Sequence, residues 1–516
     1  MSLRSRREFL ADVGRGMLVA SVGSALATDM GLSSAQAFDA PGRLNFGALE
    51  SLVSLMQDTD PEKLLPQLAE RYRGGTDLRT LVAAGALANA RSFGGEDYIG
   101  FHTFMALAPA FEMARELPES LRPLPVFKVL YRNAARIQAV GGVKSEVLHP
   151  VEAAALPANR QGGELLQELT RKGDTQAAEG AFAAMMKGPA GEAYQHLQYE
   201  VQDEVDVHRV VLSWRAWSMR DVAGEDYAHT LLRQSLRYCL KIEQSYIGKN
   251  QPTSAIRQLL PQLFDQYKLL SKPIGKREAE DAWIDDLSKI VYSATRERAA
   301  DAVAAALAEG FSPESIGEAL SLAANRLVLH DPGRRPDQVQ GDKITGSCHG
   351  DSVGVHASDS ANAWRNIARA SNPRNVAASL IVGAFHTAGQ AGRSNPEPYP
   401  LPEQLAEITT TSPEVLLSEL DRAIRAREQF RACAIATRYA ESGGSPRLIF
   451  DRLLRYATSE DGALHAEKYY RTVSEEFSVM RPAFRWRQIA ALARVSASEY
   501  GTPAPGYTQA KELFKV

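Results

Sequence analysis

Apolar residues recur along the chain at spacings of three and four, which is the periodicity of amphipathic helices. Leu64, Leu65 and Leu68 follow this spacing, and a similar run crosses residues 303–323. Alternating β-branched segments, which indicate strands, are nearly absent, and the best strand candidate is 209–212. The pattern predicts an all-α, multi-helical fold without a nucleotide-binding sheet.

Helix starts share one local chemistry: a small polar residue followed by proline at the first helical position, and then often glutamate. Four segments have it: Asp60-Pro61-Glu62, Ser312-Pro313-Glu314, Asn372-Pro373 and Ser412-Pro413-Glu414. A further helix is predicted to begin near Ser360, with Ser358 and Asp359 as its cap.

A short repeat suggests that helical units are duplicated. Gly95-Glu96-Asp97-Tyr98 returns as Gly224-Glu225-Asp226-Tyr227, and each copy soon reaches a His-Thr pair. Duplication would make the fold solenoid-like or bundle-like. The alternative is chance reuse of a polar helix start.

Residues 1–37 resemble a twin-arginine signal peptide. Arg6-Arg7 is followed by Phe9 and Leu10, then by an apolar stretch too short to span a bilayer, and by Ala35-Gln36-Ala37. The resemblance implies that the twin-arginine translocase exports the folded protein to the periplasm or the medium. The mature region is then 38–516, with two lobes at 38–250 and 251–516 and no integral membrane segment after cleavage.

Composition narrows the class of partner. The 516 residues are 44% hydrophobic and 23% charged with a net charge of −3, so the chain predicts a folded globular protein. This balance provides no basic surface for nucleic acid, and a small-molecule substrate is the expected ligand. The three cysteines lie far apart without CxxC spacing, which argues against a disulfide framework.

The polar, glycine-rich segment 331–358 predicts a long functional loop. Within it, Gly350-Asp351-Ser352-Val353-Gly354 fits the GxSxG pattern of serine hydrolases, in which Ser352 would be the nucleophile. The alternative is a flexible turn, because no strand precedes the motif.

Histidines supply the other candidate chemistry. His102 and His386 lie in apolar helices, where an imidazole needs a hydrogen-bond partner or a metal ion. A metal set of six histidines is predicted: His102, His208, His330, His349, His356 and His386. Imidazole ligands suit iron or copper, here preferred to zinc, and one axial histidine would equally suit haem b. Tyr98 and Arg132 are candidate catalytic residues that would orient a substrate.

The His102 helix, the segment His356-Ala357-Ser358-Asp359-Ser360 and the later His386 together resemble the questin-oxidase-like family. That resemblance implies a helical, histidine-containing protein with oxygenative chemistry, although this chain differs in length and in its export signal. The leading hypothesis is therefore an exported metal- or haem-dependent oxidoreductase or oxygenase. The alternatives are a non-catalytic periplasmic helical-repeat binding protein and a serine hydrolase that uses Ser352.

Overall fold

The structure is a computed structural model that describes residues 42–341, 343–392 and 394–516. The predicted signal peptide at 1–37 lies outside the described residues. Within them the chain forms 23 α-helices and no sheet, so the prediction of an all-α fold is confirmed. None of these helices is both long and apolar enough to cross a membrane.

The helices of the first half, numbered in chain order, are α1 Glu50–Asp58, α2 Pro61–Arg73, α3 Leu78–Phe93, α4 Tyr98–Glu116, α5 Pro123–Ala139, α6 Gly162–Arg171, α7 Thr175–Met185, α8 Ala190–Val201, α9 Val207–Ala223, α10 Ala228–Lys249 and α11 Ile256–Tyr267. Those of the second half are α12 Asp281–Ser293, α13 Arg296–Ala308, α14 Pro313–Leu329, α15 Val353–Arg369, α16 Pro373–Thr387, α17 Pro402–Ala406, α18 Pro413–Arg425, α19 Gln429–Glu441, α20 Pro446–Ser459, α21 His465–Val479, α22 Pro482–Glu499 and α23 Pro505–Phe514.

Local signals explain many of these boundaries. The four predicted proline starts are confirmed, because α2, α14, α16 and α18 each begin at that proline. Two other local predictions are wrong. The strand candidate 209–212 lies inside α9, because the Asp206 carboxylate accepts a hydrogen bond from the backbone of Arg209 and starts a helix. Helix α15 begins at Val353 with Ser352 as its cap, so the loop before it ends earlier than expected.

Both copies of the Gly-Glu-Asp-Tyr repeat join two neighbouring helices. The first links α3 to α4 and the second links α9 to α10, and the two helices of each pair pack together. Asp77 caps α3 as Asp206 caps α9. The repeat therefore marks two similar helical hairpins.

Four helices from distant parts of the sequence form a closed ring. Helix α4 packs against α9 and α21, and α15 packs against the same two helices on the other side. One apolar core extends through α1 to α16, and another is built mainly from α18 to α22. The ring lies where these helices meet, and all four place a histidine near their N-termini.

Candidate functional site

The four histidines of the ring form one cluster, hereafter the histidine cluster: His102, His208, His356 and His465. The ring centroids of His102 and His208 are 4.8 Å apart, and those of His208 and His356 are 6.0 Å apart. His465 closes the circuit, 5.0 Å from His356 and 5.4 Å from His102. Four imidazoles from four helices therefore face one another in the interior.

Each histidine lies within the first five residues of its helix, and the local caps explain this placement. Asp97 caps α4 by accepting from Gly100, Asp206 caps α9, and Ser352 caps α15 by accepting from Val355. The N-terminal end of a helix carries partial positive charge, which disfavours a protonated imidazole. The converging helix starts thus favour neutral rings at His102, His356 and His465.

Hydrogen bonds fix the tautomer of two of these rings. Nδ1 of His102 lies 2.7 Å from the carbonyl oxygen of Tyr98, four residues earlier, and Nδ1 of His356 lies 3.1 Å from that of Ser352. A carbonyl oxygen only accepts, so both Nδ1 atoms carry the proton. The Nε2 atoms of His102 and His356 are consequently lone-pair donors that point away from these carbonyls.

Several polar atoms of the cluster are buried without a protein hydrogen-bond partner. They are Nε2 of His102, Nε2 of His208, Nδ1 of His465 and the hydroxyl of Tyr98. Only 3% of His102 and 1% of His465 is exposed to solvent. An unsatisfied buried polar atom costs about 1–3 kcal/mol, so several in one place indicate a ligand that the protein residues do not provide.

The shortest contact between two histidines joins Nε2 of His356 and Nε2 of His465, at 3.3 Å. Among the described residues, no group of three or more His, Cys, Asp or Glu side chains is already arranged as a metal-binding set. The cluster thus supplies two converging nitrogens as it stands. The Nε2 atoms of His102 and His208, which have no protein partner, are the further candidate ligands.

Burial controls the charge of the cluster. It lowers the pKa of His356 to about 4, helped by the neighbouring His208 and Lys468, and it lowers the pKa of His102 and His465 well below the usual value. Lys468, one turn after His465, has its own pKa lowered to about 8 by burial, which the Asp359 carboxylate opposes. At neutral pH the three imidazoles are therefore uncharged.

Tyr98 packs directly on the cluster. Its ring lies 4.4 Å from that of His102 and 5.5 Å from that of His208, since Tyr98 and His102 are four residues apart on one face of α4. Burial and the carboxylates of Asp351 and Asp206 raise the pKa of its phenol, which stays protonated. Of the two predicted catalytic residues, Tyr98 therefore lies at the cluster. Arg132 instead contacts Asp461, at 3.6 Å.

The other predicted ligands occupy different surroundings. Nδ1 of His386 accepts a hydrogen bond from Nε1 of Trp364 at 3.2 Å, and burial lowers its pKa to about 4. Nδ1 of His330 contacts the carbonyl oxygen of Asn395 at 2.9 Å, beside the ring of Tyr292. His349 lies in the loop before α15. Of the six predicted ligands, His102, His208 and His356 are the three that meet in the cluster.

His465 is the member that the sequence reasoning missed. It follows Ala463 and Leu464, which both adopt positive φ angles (47° and 66°), a conformation that is uncommon outside glycine. No apolar pattern or predictable cap marks this helix start, so the sequence analysis did not single out His465. The sequence signal that was present is Lys468 and Glu467 one turn away in an otherwise amphipathic helix.

Ser352 has a structural role in this arrangement. Its hydroxyl accepts the hydrogen bond that caps α15, and its carbonyl oxygen holds His356. The oxygen Oγ also lies 3.6 Å from the thiol sulfur of Cys348. These contacts give the GxSxG motif a capping function that does not need a nucleophile.

Comparisons of the chain with protein-family models, curated proteins and solved structures found no match. The chemistry of the histidine cluster therefore rests on its own geometry.

Proposed function

We propose that the histidine cluster binds one redox-active metal ion and that the protein is a metal-dependent oxidoreductase of the oxygenase type. The observation that carries this proposal is the meeting of four imidazoles from four helices, with ring nitrogens that have no protein partner. Imidazole nitrogen is a ligand for iron, copper, nickel and zinc.

The separation of His356 and His465 supports this assignment. Two nitrogens bound to one ion at about 2.0–2.1 Å, in tetrahedral geometry, lie roughly 3.3 Å apart. The observed Nε2 to Nε2 distance is 3.3 Å. In the metal-free protein, Nε2–H of His465 can donate to the lone pair of His356 at this distance. The tautomer of His465 that carries its proton on Nδ1 would instead turn both Nε2 lone pairs toward one ion.

The outer contacts of the rings also fit a metal site. Histidine ligands usually donate their second ring N–H to a carbonyl or carboxylate, which fixes the ring orientation. His102 and His356 do so to Tyr98 and Ser352, and Nδ1 of His208 lies 3.8 Å from Oδ1 of Asp206. At His102 and His356, the protonated Nδ1 therefore leaves Nε2 as the ligand atom.

The spacing of the rings favours a single ion over haem b. The four imidazoles are mutual neighbours, and Phe101 stacks on His102 with centroids 5.0 Å apart. A porphyrin is far larger than the space between rings in such contact. Haem would require the four helices to separate.

Tyr98 favours a catalytic ion over a structural one. The fold already has extensive apolar cores and does not need a structural metal ion for its stability. A structural ion would also leave the buried hydroxyl of Tyr98 without a partner. A bound redox metal ion supplies electron transfer to dioxygen or a substrate. Tyr98, as a neutral phenol, would donate a hydrogen bond to an oxygen atom of that molecule.

The export expectation fits the same function. A twin-arginine substrate is typically folded before export, often around a cofactor inserted in the cytoplasm. We infer that the ion is inserted there and that the protein acts in the periplasm or outside the cell. Replacing Arg6-Arg7 by two lysines should leave the protein in the cytoplasm, as fractionation would measure.

Metal binding can be measured directly. Chelator-treated protein is titrated under anaerobic conditions with Fe(II), Cu(II) or Zn(II), and bound metal is quantified by elemental analysis. We expect one ion per chain, and we expect Fe(II)-loaded protein to give a paramagnetic complex with nitric oxide. Zinc as the only ion bound would support a closed, non-redox site and contradict the oxidoreductase assignment.

Three variants locate the site. His465→Ala should lower the metal affinity at least about tenfold, as loss of a ligand or its support does. His229→Ala is the matched control, because His229 is a half-buried histidine near Phe182 whose Nε2 is likewise unpartnered. His386→Gln retains an acceptor for Trp364 and should bind normally. Equal affinity in all three variants would show that the cluster is not the site.

A further inference from the structure

A cavity lies beside the loop that precedes α15. It has a volume of about 620 Å³ and is lined by residues of the loop before α15, by α17, by the start of α19 and by Ser498. Small-molecule sites in proteins usually have volumes of about 300–1,000 Å³. We call this cavity the cleft.

A short segment separates the cleft from the histidine cluster. We call residues 346–352 the strap. At one end, Gly346 and Ser347 line the cleft. Further along, Gly350 contacts His465 of the cluster closely. A Cβ atom added to Gly350 would lie 2.3 Å from Cβ of His465. The strap ends at Ser352, the cap of α15, which also holds His356.

We propose that the cleft binds the incoming substrate and that the strap is the gate between the cleft and the histidine cluster. The inference rests on the proposed function for what passes the gate, since His102 and His465 are almost fully buried and a substrate needs a path to them.

Two hydrogen bonds tie the strap to the end of α22. The backbone N–H of Cys348 donates to Oγ of Ser498 at 2.9 Å, and that of Gly350 donates to Oε1 of Glu499 at 2.8 Å. Ser498 also lines the cleft. Two consecutive residues of α22 therefore hold the strap, and the first of them also lines the cleft.

Several further bonds of the strap are made within the same loop. Gly346 donates to the carbonyl oxygen of Arg334 at 2.7 Å, and the backbone of Arg334 donates to that of Ser347 at 3.0 Å. Asp351 forms ion pairs with Arg334 and with Lys343. These contacts can move together with the loop, whereas movement of the strap away from α22 has to break the bonds to Ser498 and Glu499.

The lining of the cleft indicates the class of molecule that it takes. Arg427 and Arg431 are balanced by Glu407 and Glu428, so the formal charges cancel. Gln404 and Gln429 add amide donors and acceptors. The cleft thus suits an uncharged molecule with hydrogen-bonding groups and disfavours a strongly charged one.

Alkylation of Cys348 can report movement of the strap. Cys348 lies in the strap and is 1% exposed, while Cys239 and Cys433 are fully buried in packed helices. We would alkylate metal-free native protein with iodoacetamide, an uncharged amide, and follow each cysteine by mass spectrometry. Cys348 should react at least about tenfold faster than the other two, because local opening is more frequent than global unfolding.

Matched variants test the gate. Ser498→Ala removes the hydroxyl that accepts a hydrogen bond from the backbone N–H of Cys348, and it should speed alkylation of Cys348 about fivefold. Ser235→Ala removes a buried hydroxyl one turn before Cys239 and should leave the Cys348 rate unchanged. Alkylation of all three cysteines at one common rate would mean that only global unfolding exposes them, and this would overturn the gate.

A second pair tests the route. Glu407→Trp, at the residue after α17, fills the cleft from its rim and should slow alkylation of Cys348 several-fold. Glu403→Trp, one turn earlier in α17 and outside the lining, should not. Equal rates in the two variants would overturn the cleft as the entrance. Because metal-free protein is used, these results stand apart from the metal titration, and failure of either proposal can be recognised separately.

Discussion

Acid should destabilise the metal-free protein through the neutral imidazoles of the histidine cluster. Burial, reinforced by the neighbouring His208 and Lys468, lowers the pKa of His356 from 6.5 to about 4. In the unfolded chain the ring regains its usual pKa and binds a proton more readily than in the fold. The stability that His356 contributes is thus fully present above pH 6.5 and is lost as the pH falls through about 4.

The loss of stability in acid can be calculated from the lowered pKa of His356. A single histidine whose pKa falls from about 6.5 to about 4 loses about 2 kcal/mol of stability at pH 5 and about 3 kcal/mol below pH 4. His102 and His465 shift in the same direction, so their contributions add to the loss.

Urea denaturation of chelator-treated protein, followed by circular dichroism, measures this loss. The variant His356→Asn has no titrating group at this position, so between about pH 7.5 and pH 5 it should lose about 2 kcal/mol less than the wild type. Comparison of each protein with itself at the two pH values removes any constant cost of the substitution. An identical pH dependence in both proteins would refute the assignment of His356 as a buried neutral imidazole.

Two further predictions concern packing and a buried ion pair. Gly354→Ala should destabilise the protein by about 1–3 kcal/mol, because its Cβ would lie 2.6 Å from the backbone nitrogen of Val328. Gly248→Ala, in a helix with open space around that position, should instead stabilise it by up to about 1 kcal/mol. Thermal unfolding compares the two, and a greater loss in Gly248→Ala would contradict the packing argument. Lys128→Met should cost about 3–5 kcal/mol, because it leaves the buried carboxylate of Glu467 without the ammonium group 2.6 Å away. Adding Glu467→Gln to that variant should recover part of the loss, and no recovery would mean that the pair is not coupled.

Much of the fold could be predicted from local sequence. The proline starts of α2, α14, α16 and α18 follow from the fixed φ of proline and its missing N–H, which are properties of single residues. Periodic apolar residues gave the all-α class for the same local reason. The start of α15 was misplaced because several Ser and Asp residues near it can each cap a helix. Only packing selects one of them.

The candidate site could be predicted only in part from the local sequence. The sequence by itself identified His102, His208 and His356 as chemically interesting, because an imidazole in an apolar or capped setting needs a partner. It also grouped them with His330 and His386, which the structure pairs with a carbonyl oxygen and with Trp364.

Only the tertiary structure decided which imidazoles face one another. His465 lies 109 residues after His356, and no local pattern records that two such distant rings approach to 3.3 Å. That contact is set by the ring of α4, α9, α15 and α21, whose packing depends on the shapes of all four helices together. Helix formation is local and can be read from spacing, whereas the joining of helix ends into one site is a property of the folded core.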